Sequence, residues 1–223
     1  MRLPDPIERF IAKLSELPSL GPRQATRLAF HLLRMGENNM RELGDAVQGM
    51  CTVKTCSRCF FPTQESEPRP SQGVGVVSQN QGPLCDICRD PRRMQNIIMV
   101  VEKETDLMSL ESSGKFSGQY LIIGEIPKTG ILEEWQKLRL QNLKSLIQKE
   151  LNGKAPSAGS GRAEEIVLAL NPTSTGDFNA SLLARELEPF AKKISRLGRG
   201  LPTGGEIEFA DDETLGSALE RRS

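Results

Sequence analysis

Apolar positions in the first part of the chain recur at helical spacing. Ile7, Phe10, Ile11 and Leu14 fall on one helical face, as do Ala25, Leu28, Ala29, Leu32 and Leu33, and this period predicts two short helices within residues 7–34. Between them lies Leu17-Pro18-Ser19-Leu20-Gly21-Pro22. Gly21 ends the connection, and Pro22 suits the first helical turn, where its missing N–H costs nothing. The unit reads as helix, tight turn, helix.

The pattern changes twice further on. Residues 54–93 show little periodicity and are rich in Cys, Pro and Gly. Within them, 65–82 reads as an inserted flexible loop or a small hairpin around Val74 to Val77. After Arg93, short apolar runs at 97–101, 120–123 and 166–170 predict buried parallel strands. Helices are expected between and after them. One carries Leu107, Leu110 and Glu111; a longer one carries Leu132, Trp135, Leu138, Leu143, Leu146 and Ile147; another runs from about Phe178 to Phe190. Residues 153–162 read as a flexible linker. No repeat of fixed period is visible.

Composition narrows the function classes. The 223 residues carry 29 Lys+Arg against 29 Asp+Glu, so nucleic-acid binding requires a local basic patch or several weak sites presented together by an oligomer. One His removes most imidazole-based mechanisms. Apolar residues make up 37%, which favours small modules supported by a metal or by subunit contacts. No run approaches a membrane span and Met1 to Pro6 lacks a signal-peptide core, so a cytoplasmic protein with no membrane contact is expected.

Cys56-x-x-Cys59 and Cys85-x-x-Cys88 form two knuckles. Each can place two thiolates on one tetrahedral ion, and four ligands leave no open position for water, the signature of structural zinc. The 25 intervening residues are tolerable because closure entropy grows only logarithmically with loop length. Disulfides or ordinary core cysteines are the competing reading. Cys51 is expected to be a buried small side chain, since the ion's shell is already full.

Arg23 and Arg27 stand four residues apart on one face of the second predicted helix. With the backbone N–H groups of the hairpin they could hold DNA phosphates without reading sequence. A small helical bundle with solvated arginines fits the same spacing, because residues 1–50 hold seven basic and six acidic side chains. His31 reads as a structural or surface side chain, with no paired nucleophile nearby.

Glu102 directly follows the strand 97–101, which puts it at the carboxyl edge of a parallel sheet, where such folds place functional groups. A second edge, Asn171-Pro172-Thr173-Ser174-Thr175-Gly176-Asp177, follows the strand 166–170. Taken alone, Glu102 could be a solvated strand-end carboxylate, and Asp177 an N-cap for a helix beginning at Phe178. Gly200 to Gly205 could be a tight turn and lacks P-loop spacing, so no nucleotide hydrolysis is expected.

The two edges resemble the Toprim domain. Its catalytic members carry Asp-x-Asp at the second edge to hold magnesium; the matching positions here are Asn171 and Thr173. Magnesium is held by carboxylates, so these neutral side chains should cripple such a site. The order of LPSLGPRQATRLAFHLL, the four-cysteine segment ending CDICRDPRR, VVEKETDLMSLESSGKFSGQYLIIG, LALNPTSTGD and RGLPTGGEIEFADDETLGSALERR resembles the RecR family of recombination mediators over nearly the whole chain.

That resemblance implies an α+β/α/β multidomain chain. Its expected parts are a helix-hairpin-helix DNA-binding region at 1–53, a four-cysteine zinc finger at 54–93, a Toprim domain at 94–199 and a family-specific C-terminal segment at 200–223. It also implies a non-enzymatic mediator of recombinational DNA repair. A clamp-like homotetramer would enclose DNA and help load RecA onto gapped single strands with RecO and RecF. Arg23 and Arg27 would contact DNA, the four paired cysteines would hold Zn2+, and Glu102 and Asp177 would belong to a partner-binding acidic surface. The competing reading is a magnesium-dependent Toprim nuclease or primase-like enzyme using Glu102. A weaker third is a zinc-finger adaptor that contacts only proteins.

Overall fold

The computed structural model describes residues 3–64, 82–151, 161–201, 204 and 206–220. Nearly all of the insertion at 65–82 and of the linker at 153–162 therefore lies outside the described residues. The chain divides into two compact units, Met1–Val53 and Lys54–Ser223.

The first unit is helical: α1 (Asp5–Ser15), α2 (Pro22–Met35) and α3 (Glu37–Gly49). Gly21 is the N-cap of α2 and Pro22 its first residue, as the turn chemistry requires. α2 buries Ala25 and Ala29, one turn apart, and these small side chains let α1 pack closely on it. α3 was not expected from the sequence. Gly36 separates it from α2 at φ 89°, a left-handed conformation that favours glycine. The unit leaves much apolar surface uncovered, with Leu33 49%, Val47 59% and Met50 71% exposed.

The second unit opens with a two-stranded antiparallel ribbon, β1 (Lys54–Thr55) and β2 (Pro62–Thr63), followed by a single helical turn, α4 (Asp86–Arg89). A four-stranded sheet follows, built from β3 (Ile97–Val101), α5 (Glu104–Ser112), β4 (Gln119–Ile122), α6 (Glu134–Leu151), β5 (Ala163–Ala169), α7 (Ser174–Leu187) and β6 (Ala191–Arg196). Its strand order is β4-β3-β5-β6, parallel throughout. A short helix, α8 (Asp212–Glu220), closes the described chain. The mixed architecture expected from the sequence is present: N-terminal helices, a four-cysteine cluster and a parallel four-stranded sheet with its helices.

Strand alternation assigns the two faces of the sheet. Ile98, Val100, Leu121, Ile123, Ile166 and Leu168 pack with Leu140 and Ile147 of α6 and Leu183 and Leu187 of α7. Met99, Val101, Tyr120 and Ile122 point the other way, onto Leu107 of α5 and the four cysteines. Burying each such aliphatic side chain contributes about 1.5–3 kcal/mol. The finger is thus one wall of the sheet's second core.

Candidate metal centre and nucleic-acid interface

The two knuckles converge. Cys56 and Cys59 lie on the bend between β1 and β2, where Phe60 takes φ 67° and Cys56 N–H donates to the Phe61 carbonyl at 2.9 Å. Cys85 and Cys88 flank the start of α4. All four are buried, and their Sγ atoms lie within 4.8 Å of one another, with Cys59 and Cys85 at 3.4 Å. A tetrahedral ion with metal–sulfur bonds of about 2.3 Å needs sulfurs about 3.8 Å apart, so the cluster fits one ion. The Cys59 and Cys85 thiols beside Cys56 hold its pKa far below the usual thiol value, while Cys56 pushes those of Cys59 and Cys88 far above it. A cation bound by four thiolates removes that conflict. Cys51 is exposed, correcting its expected burial: it lies in the turn after α3, outside any core.

Finger and sheet are joined by specific bonds. Ile122 N–H donates to the Cys59 carbonyl at 3.0 Å, and Asn142 Nδ2 on α6 to the Ser57 carbonyl at 3.0 Å. The Arg139 guanidinium lies 4.8 Å from the Phe60 ring centre and 4.7 Å from that of Trp135, and donates to the Ile122 carbonyl at 2.9 Å. Beyond α4, Arg93 forks onto Glu111 at 2.6 and 2.9 Å and also donates to the carbonyls of Phe116 and Gly118.

At the carboxyl edge of the sheet, Glu102 is 6% exposed. Its Oε2 accepts from Asn171 Nδ2 at 2.5 Å and from Asn171 N–H at 3.3 Å. It is therefore not the solvated strand-end carboxylate considered above: the end of β3 sits against the end of β5, and Asn171 covers it. Thr173 is the N-cap of α7, its Oγ1 accepting from Gly176 N–H at 3.0 Å. The N-cap reading of Asp177 is thereby corrected, because the helix begins at Ser174 and Asp177 lies within its first turn. Asp177 instead receives both Arg196 and Arg199. These guanidiniums, Arg196 foremost, hold its carboxyl below the usual carboxylate range. Gly176 is required here, since a Cβ at that position would collide with the Asn171 carbonyl.

Asn171 as the partner of Glu102, and Arg196 and Arg199 as partners of Asp177, were missed in the sequence. Their contacts join residues 69, 19 and 22 positions apart, and no local spacing announces them.

In the first unit Arg23, Arg27 and His31 are all exposed on α2, as is Arg34 one turn further on. α2 carries no acidic residue, so nothing along it neutralises these cations. A groove of about 460 Å³ on its outer side is lined by Gln24, Arg27, Leu28, Phe30, His31 and Arg34.

Comparison with known families and proteins identifies matches along most of the chain. Residues 7–51 match the RecR helix-hairpin-helix model, 96–198 the Toprim domain and 200–223 the RecR C-terminal model. The chain is 37% identical over 223 residues to recombination protein RecR of Roseiflexus castenholzii, covering 99% of this chain and 94% of that protein. It is 35% identical over 222 residues to recombination protein RecR of Myxococcus xanthus, covering 98% of both. Against recombination protein RecR of Rubrobacter xylanophilus it is 34% identical over 219 residues, covering 97% of this chain and 95% of that protein. With a helical N-terminal unit, a buried four-cysteine cluster and a Toprim sheet in the matching order, the chain belongs to the RecR family.

Proposed function

We propose that this protein is a non-enzymatic mediator of recombinational DNA repair that holds DNA as a clamp-like oligomer. The observation that carries the non-enzymatic reading is the bond from Asn171 to Glu102. Where a Toprim enzyme gathers carboxylates around magnesium, this chain has one carboxylate with an oxygen already engaged by an amide, and Thr173 spent on capping α7. The DNA-binding reading rests on Arg23 and Arg27, exposed on a helix without acids in a unit that matches a helix-hairpin-helix model. A neutral chain can hold DNA in this way, because weak phosphate contacts sum over subunits. The uncovered apolar side chains of α3, among them Met40, Leu43 and Val47, supply surface for such an assembly, a homotetramer in this reading.

Zinc is the ion for the cluster, since four buried thiolates in tetrahedral reach suit it best. It would be structural, with all four positions taken by protein. RecO and RecF are the proposed partners in loading RecA at single-stranded gaps, in the cytoplasm near the nucleoid. Asp177, still about a third exposed, belongs to the surface that would meet them, while buried Glu102 would act on that surface only through Asn171, which covers it.

The decisive experiment incubates the zinc-loaded protein with gapped supercoiled DNA and magnesium, beside Arg23→Ala/Arg27→Ala and Glu102→Ala variants. Intact DNA bound by wild type, with binding weakened and its salt dependence flattened at every sequence in the double variant, is the expected result. Nicking or relaxation lost in Glu102→Ala would establish the magnesium-dependent enzyme instead.

A further inference from the structure

The outer side of α2 carries more than the two arginines assigned to DNA. At 3.6 residues per turn, Arg23, Arg27 and Arg34 fall within about 40° of arc and span about 16 Å of helix. This stripe lies opposite the packed face formed by Ala25 and Ala29. Phe30 is three residues after Arg27 and four before Arg34, so the three side chains share one face of the helix and line the same groove. It is 41% exposed. The same side chains line the groove of about 460 Å³, with Gln24 and His31 completing its wall.

We propose that this groove is a track for single-stranded DNA, in which Arg23, Arg27 and Arg34 hold successive phosphates and the Phe30 ring stacks on an unpaired base. The inference rests on the DNA-binding reading of this unit and extends it to a strand preference. Arginines alone would take duplex and single strand alike, since both offer phosphates. An exposed ring on the arginine-bearing face adds a contact that only an unstacked base can accept, and one that ignores base identity because every base has a π face. The absence of any acid on α2 keeps the stripe attractive to the backbone along its full length. A protein acting at gaps would gain from such a track, because it separates the exposed strand from the flanking duplex.

The test measures binding of the full-length, zinc-loaded protein to oligothymidine and to a duplex of equal length by fluorescence anisotropy over a range of salt. Phe30→Leu keeps the apolar volume and removes the ring; it should weaken oligothymidine binding about tenfold and change duplex binding by less than about twofold. Arg34→Gln should weaken both and reduce the salt slope by about 1 per bound phosphate. If Arg23→Gln/Arg27→Gln loses DNA while Phe30→Leu and Arg34→Gln bind as wild type, the DNA reading stands and this inference falls. If none of the variants changes binding, both fall. Sedimentation of each variant supplies the remaining arm: a change of oligomer mass in Phe30→Leu would place the ring between protein copies and overturn the assignment.

Discussion

Asn171 donates both its side-chain amide and its backbone N–H to a single oxygen of Glu102, at 2.5 and 3.3 Å, from the end of a neighbouring parallel strand. Two strand ends are thus tied at the place where related folds hold a cation. The Asn171→Asp variant puts a second carboxylate on the first and loses a hydrogen bond to a charged group. It should be less stable than wild type by about 1.5–3 kcal/mol in magnesium-free buffer. Adding magnesium should recover part of that loss in the variant and leave wild type unchanged, a comparison of melting temperatures that reads the change directly.

On the zinc reading, removing the ion is expected to reach beyond the finger. Structural zinc contributes on the order of 10–16 kcal/mol in small finger peptides, as much as the whole stability of an ordinary domain. The four cysteines share a core with Met99, Val101, Leu107, Tyr120 and Ile122. Chelation, or Cys88→Ser, should therefore speed amide exchange at Ile122 as well as in the knuckles, while the α6 and α7 side of the sheet stays protected.

The Asp177 carboxyl is held low by Arg196 and Arg199. A depressed carboxyl contributes stability that is fully present above its unfolded value, near about 4, and is lost as pH falls through the folded one. The stability difference between wild type and Asp177→Asn should be constant at neutral pH and disappear as the solution is acidified below about pH 4. Denaturant melts of the two proteins at a series of pH values check this; a difference that persists in acid would place the contribution elsewhere than in the ion pairs.

Gly176→Ala should cost at least about 2 kcal/mol, because the added Cβ meets the Asn171 carbonyl, a backbone atom that cannot rotate away. Gly216→Ala, with open space around it, is the control and should be neutral or slightly stabilising, as helix propensity directs.

Much of this fold is legible in the sequence. The run Ile97 to Val101 is a strand with the limits its apolar character suggests, because both its faces are covered. Other elements resist local reading for physical reasons. β5 begins at Ala163, ahead of the apolar run, since Glu164 and Glu165 still pair in the sheet and meet Lys192 and Lys193. β6 carries those lysines at the margin of the sheet and so lacks the continuous apolar signal of a buried strand. α3 carries Gly44 at its middle and leaves Leu43 and Val47 in solvent, which blurs its period. The cysteine spacing announced its cluster because two-residue gaps fix local geometry. The partners of Glu102 and Asp177 are set by which strands lie side by side, and a single sequence does not display that.

The bond from Ile122 to the Cys59 carbonyl has a consequence beyond stability. β4 is the outermost strand on its side of the sheet, and its free backbone groups would offer a template for another chain. The knuckle caps part of that row. A molecule that loses its ion would uncover apolar Tyr120 and Ile122 together with an unpaired strand, so its expected fate is self-association into aggregates. On the proposed zinc reading, scarcity of the ion would then limit the pool of this protein by clumping of the newly made chain before any other property was affected.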